Sequence, residues 1–108
     1  MKEEIFKISD SNTPVVEAVI KDENINFMHM VFKGGESLKT HYSNANVYMT
    51  VIKGILSLSL DDSPFKKYEE NTVIKIPFNT KMMVQNHDAE ILEIYVIKSP
   101  APGTYYTN

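Results

Sequence analysis

Gly35-Glu-Ser-Leu-Lys-Thr-His41-Tyr-Ser43-Asn-Ala-Asn-Val47-Tyr-Met-Thr-Val-Ile-Lys-Gly54 is the stretch on which the reading of this chain turns. A glycine opens it and a glycine closes it, at positions where tight turns often need a positive φ. Val47 to Ile52 is β-branched and alternating, and Lys53-Gly54 reads as a turn. Ile55 to Leu60 then runs back, with Leu56, Leu58 and Leu60 alternating against Ser57 and Ser59, the pattern of a strand with one buried face. His41 and Ser43 stand just ahead of this strand pair, at a spacing that would suit a metal site if more donors followed.

Outward from this pair the chain is strand after strand. Val15 to Ile20, Ile25 to Phe32, Thr72 to Ile76, Met82 to Gln85 and Ile91 to Ile97 all carry strand composition, and turn-forming residues separate most of them, while Asp61-Asp-Ser-Pro64 makes a loop that Phe65 to Asn71 continues. In the second run Met28, Met30 and Phe32 share one face, and Phe27, His29 and Val31 share the other. Pro77-Phe-Asn79 and Asn86-His-Asp88 break the later runs. Ser9 to Thr13 allows one short helical turn, but no segment sustains a helical period with start and stop signals. Many short strands with regular turns indicate an all-β sandwich or barrel, and residues 1–108 suit one domain.

The bulk properties narrow the function. A net charge of −3 argues against sequence-independent nucleic-acid binding and against docking on an anionic membrane, both of which need a basic face. The chain has no cysteine, so disulfides, thiolate metal sites and thiol catalysis are excluded. No long apolar run suggests a signal peptide or a membrane span, and the expected setting is the cytoplasm.

Set against known sequences, the chain resembles a small single-domain cupin from about Ile25 to Pro102. The first cupin motif runs Gly, five residues, His, one residue, His, three or four residues, Glu, six residues, Gly. Gly35, His41 and Gly54 match it, while Ser43 and Val47 stand at the second His and the Glu. The second motif runs Gly, five residues, Pro, one residue, Gly, two residues, His, three residues, Asn. Pro77 and Asn86 match it, Asn71 and Asn79 stand at the glycines, and Met82 stands at the histidine. Asparagine tolerates the left-handed conformation best after glycine, which makes both substitutions plausible stand-ins. The resemblance implies a double-stranded β-helix, the jelly-roll barrel of the cupins, and commonly a homodimer.

In cupins the two His and the Glu of the first motif and the His of the second bind one divalent metal. Three of those four positions here are Ser43, Val47 and Met82. Valine cannot ligate, and a neutral hydroxyl and a thioether are poor donors for hard divalent ions. No cofactor is therefore expected. A divalent metal would need a non-standard set such as His29 with His41, because His87 points away from Met82, Val84 and Asn86 by alternation.

Alternation from His41 then suggests a pocket lining of His41, Ser43, Val47, Met49, Val51, Met82 and Val84, with Tyr95 from the last long strand. That would be an apolar cup with one imidazole and one hydroxyl, the usual form of a small-ligand site. Each residue also has an ordinary role open to it: Val47, Met49 and Met82 as core filling, Ser43 as a turn hydroxyl, His41 as an inert rim histidine. The expected function is binding of a small, partly apolar molecule. The alternative is an enzyme of isomerase, epimerase, decarboxylase or dioxygenase type that uses His41 as base or as ligand of an unusual metal site. A ligand-free structural dimer is the third possibility, with Tyr42, Tyr48 and Tyr105-Tyr106 as contacts.

Overall fold

The computed structural model of the protein describes residues 2–103. Its strands are β1 (Val15–Lys21), β2 (Asn26–Phe32), β3 (His41–Tyr42), β4 (Val47–Lys53), β5 (Leu56–Leu60), β6 (Lys66–Tyr68), β7 (Val73–Ile76), β8 (Lys81–Gln85) and β9 (Leu92–Lys98). Every run read as a strand holds one, and no helix occurs among the described residues. β3 and β6 lie outside those runs, β6 within the stretch expected to continue a loop, because two and three residues are too few to show a period. The helical turn expected at Ser9 to Thr13 is instead a side-chain turn. The Asp10 carboxylate accepts the backbone N–H groups of Asn12 at 2.8 Å and Thr13 at 3.2 Å, the local competition that keeps Asp out of helices.

The strands form two antiparallel sheets, β1-β2-β9-β4-β7 and β3-β8-β5-β6. The core lies between them. Met30 and Phe32 of β2, Val47, Met49 and Val51 of β4, Leu92, Ile94 and Val96 of β9 and Ile76 of β7 meet Leu56 and Leu58 of β5 and Met82 and Val84 of β8. Each such buried side chain contributes about 1.5–3 kcal/mol of transfer free energy, and this set is the main favourable term in the fold. β5 departs from its simple alternation, since Ser57 and Ser59 are buried along with Leu56 and Leu58. Serine is short, and Ser57 lies in register between Lys67 and Gln85, whose longer side chains flank it.

The turns explain the positions that the motifs preserve. Gly35 and Gly54 have φ of 87° and 84°, and Asn71 and Asn79, at the glycine positions of the second motif, have φ of 69° and 64°. All four occupy the left-handed region, so asparagine replaces glycine where only those residues are cheap. Gly54 has a second constraint, because a Cβ there would collide with the Ile91 carbonyl oxygen. Asn86 is buried, and its amide donates to the carbonyls of Phe32 at 3.2 Å and Glu90 at 2.8 Å. It thereby ties the end of β2 to the loop that enters β9.

Candidate functional site

The expected pocket residues fall into three groups. Val47, Met49, Met82 and Val84 face the barrel interior as alternation required, but at 0–3 % exposure they are packed core. Met82 fills its space as a flexible, polarisable side chain does. Ser43 is buried too, yet its hydroxyl serves the fold. It donates to the Pro77 carbonyl at 2.6 Å and accepts the Thr80 N–H at 2.8 Å, locking the β7–β8 turn onto the segment after β3. His41 lies opposite Met82 on the edge strand β3, where it is exposed. Its Nδ1–H donates to the Lys39 carbonyl at 2.8 Å. Among the described residues no carboxylate orients this imidazole, so it lacks the partner a general base usually has.

Tyr95 requires a correction. It lies in register between His29 of β2 and Thr50 of β4 on the outer face of its sheet, while its neighbours Ile94 and Val96 face inward. Its ring packs against Phe27 at 5.4 Å and edge-on to His29 at 5.8 Å. The His29–His41 pair is a second correction, because the two histidines stand on different sheets. Both nitrogens of His29 are also taken: Nδ1 lies 2.7 Å from Glu17 and Nε2 lies 2.6 Å from Glu93. Among the described residues no cluster of three histidines or acids could hold a metal. At the motif positions valine offers no donor, the serine oxygen is committed and the methionine sulfur is buried among apolar groups. These residues do not fit the metal that the cupin fold commonly carries.

The Glu17–His29–Glu93 trio was not foreseen. His29 is fully buried on the outer face of the five-stranded sheet, with the carboxylates of Glu17 and Glu93 26 % and 9 % exposed. Ionised carboxylates only accept, so two such contacts require either an imidazolium or one protonated carboxyl. Glu17 also accepts the Ser9 N–H at 3.0 Å and hydroxyl at 2.8 Å, which anchors the N-terminal segment. His29 first and Ser9 second hold the Glu17 carboxyl below its ordinary range. The sequence signal was present in Glu93, an acid in the middle of the apolar run from Ile91 to Ile97.

The open space lies elsewhere. A cavity of about 620 Å³ opens at one end of the barrel, with Met28, Ala18, Ala101 and Pro102 as its apolar walls and Asn26, Asn44, Lys21 and Lys98 among its polar ones. Asp22 and Glu23 complete the lining, and none of the eight expected pocket residues belongs to it. The C-terminal segment forms one wall of this opening, since the Ala101 N–H donates to the Asn24 carbonyl at 3.0 Å. Burial pushes the Lys98 amine below its usual range, and the charge of Lys21 adds to the shift.

Two stacked antiparallel sheets closed around an apolar interior, with one open end, define a double-stranded β-helix. An uncharacterised protein of Methanocaldococcus jannaschii is 38 % identical over 103 residues, covering 94 % of this chain and 89 % of that protein. A crystal structure from the same organism, described as an RmlC-like cupin family protein with a double-stranded β-helix fold, matches with a TM-score of 0.91 at 38 % identity over 94 % of both chains. The chain belongs to this RmlC-like cupin family. A cupin superfamily protein of Desulfitobacterium hafniense shares the fold alone, with a TM-score of 0.72, 13 % identity and coverage of 86 % and 83 %. No family model matches the sequence.

Proposed function

We propose that this cupin works without the usual metal and binds a small, partly apolar molecule at the open end of the barrel. The observation that carries this reading is the 620 Å³ cavity, whose methionine, alanine and proline walls are punctuated by two carboxamides and two amines. That combination of an apolar wall with a few polar groups is the usual build of a small-ligand site. The deeper interior, where a cupin metal would lie, is filled by Met49, Met82 and Val84. The test joins two measurements on tag-free protein purified without chelator: metal content by mass spectrometry, and amide NMR during titration with a small-molecule library. Binders that move the amides of Met28, Asn44 and Ala101 in metal-free protein support the reading. One metal per chain, lost in His41→Ala, overturns it and brings the enzyme alternative forward.

The same proposal places the chain in the cytoplasm as a homodimer. The absence of cysteine fits that compartment. No helix among the described residues is long and apolar enough to cross a membrane. Ile5, Phe6 and Ile8 on the N-terminal segment are 76 %, 47 % and 39 % exposed, and a second copy would cover them. Tyr42, one expected contact, is exposed at 59 %, whereas Tyr48 is half-buried beneath Lys75. Tyr105 and Tyr106 lie outside the described residues. Light scattering at micromolar concentration checks the dimer, and a monomer there sinks it.

A further inference from the structure

We infer that the molecule bound at the barrel mouth is an organic carboxylate, held between Lys98 and Lys21. This rests on the reading of the mouth as a ligand site and names the ligand's chemistry. Lys21, Asn26 and Lys98 are consecutive partners across β1, β2 and β9, so they form one row on the inner face of the sheet. The inner face of β9 runs Leu92, Ile94, Val96, Lys98. The first three are core, and a structural role at the fourth position would be met by another apolar residue. A lysine there must desolvate part of its charge, and the next strand but one sets a second lysine close enough to oppose it. A half-buried lysine with an exposed one facing it costs free energy unless an anion joins them.

The acids at the rim do not supply that anion. Asp22 is bound into its own loop, where its carboxylate accepts the N–H groups of Asn24 at 2.8 Å and Ile25 at 3.0 Å. Glu23 is exposed, and among the described residues no carboxylate forms an ion pair with Lys21 or Lys98. The side chains of Asn26 and Asn44 add N–H donors beside the amines. Met28 and Ala101 offer apolar contact to whatever the anion is attached to. Two ammonium groups and two carboxamides against an apolar wall match a carboxylate on a short hydrocarbon or aromatic body. Lysine serves equally as a point charge for phosphate, but a bare phosphate leaves the apolar wall unused.

The full chain, titrated by amide NMR with short-chain and aromatic carboxylates, with their primary amides and with inorganic phosphate, tests this. The expected result is that at least one carboxylate shifts Asn26, Asn44 and Ala101 saturably while its amide does not. Lys98→Met should weaken that binding about tenfold or more, as loss of a charged hydrogen-bond partner does, and Lys98→Arg should restore most of it. Bound carboxylate should also raise the pKa of Lys98, followed through its side-chain resonances. If amides bind as well as acids, the mouth is a ligand site but the charge assignment is overturned. If phosphate saturates the site and no carboxylate does, the organic anion is overturned. If nothing binds at the mouth, the ligand-site reading falls with it.

Discussion

His29 Nε2 and Glu93 Oε2 lie 2.6 Å apart although 64 residues separate them in the chain, and both are buried on the outer face of the larger sheet. A charge in such a place is secured by its partner. Removing that partner costs more than the pair contributes, because the survivor keeps its desolvation penalty. His29→Ala should therefore destabilise the protein by about 3–5 kcal/mol. Replacing both residues by leucine should recover most of that loss. Urea unfolding of the single and double variants checks this, and a double variant as unstable as His29→Ala would disprove the account.

Glu17 makes the same cluster answer to pH. Its carboxyl is held below the ordinary range by His29 and then by Ser9. A carboxylate lowered in this way contributes stability above its unfolded pKa and loses it as pH falls through the folded value. The Ser9 amide should thus keep its hydrogen-bonded shift at neutral pH and lose it only in acid below the ordinary glutamate range, where Glu17 protonates. Following the Ser9 amide and the Glu17 side-chain carbon in one acid titration decides the matter. An unchanged Ser9 signal after Glu17 has protonated would break the link.

The left-handed turns predict a contrast between substitutions. Asn79→Gly should be tolerated, whereas Asn79→Val should cost about 1–2 kcal/mol, the penalty for a side chain in that region. Gly54→Ala should cost more, about 3 kcal/mol, because strain adds to the collision with the Ile91 carbonyl. Thermal melts of the three variants give the order, and Gly54→Ala melting with the parent would refute it.

Ser43→Ala separates the role of a turn lock from that of a ligand contact. The buried Thr80 N–H would lose the Ser43 hydroxyl, at a cost of about 1–3 kcal/mol. Ligand affinity at the mouth should not change, because Ser43 is not in its lining. A loss of affinity without a loss of stability would restore the original expectation for this residue.

Lys98→Met should move stability and binding in opposite directions. The lowered pKa of Lys98 means that its charge costs the folded state free energy. Stability of the parent should rise with pH through the window between the folded and unfolded lysine pKa values, where the unfolded chain binds more protons. Removing the amine should stabilise the chain by about 0.5–1 kcal/mol, a few degrees in melting temperature, while anion binding weakens. A destabilised variant would mean that Lys98 serves the fold.

Fold and site were unequally legible in the sequence. The strands of the core announced themselves through alternation, Asn71 and Asn79 could be assigned because left-handed turns admit few residues, and Asn86 by its place in the second motif. The missing metal donors were visible as Ser43, Val47 and Met82. Alternation does not tell whether an inward side chain meets space or another side chain, so it leaves Val47, Met49, Met82 and Val84 open as lining or as packing, and they are packing. Tyr95 was misplaced because the face of β9 follows from its pairing with β2 and β4, a contact distant in sequence. The Glu17–His29–Glu93 trio was hidden for the same reason, since its members come from three strands.

Lys21 has one more cause behind its position. Pairing along β1 shifts between Ala18 and Ile20, so that Ile20 lies opposite Phe27 and Lys21 opposite Asn26. Regular pairing onward from Ala18 would have put Val19 opposite Phe27 and Ile20 opposite Asn26. The residue presented to the barrel mouth would then be an isoleucine, with no core position altered. In a fold of this kind, inserting or deleting one residue on an edge strand changes which side chain, and so which charge, faces the barrel mouth. Relatives that keep every core residue but lack the bulge would present Lys98 at the entrance without a second lysine opposite it.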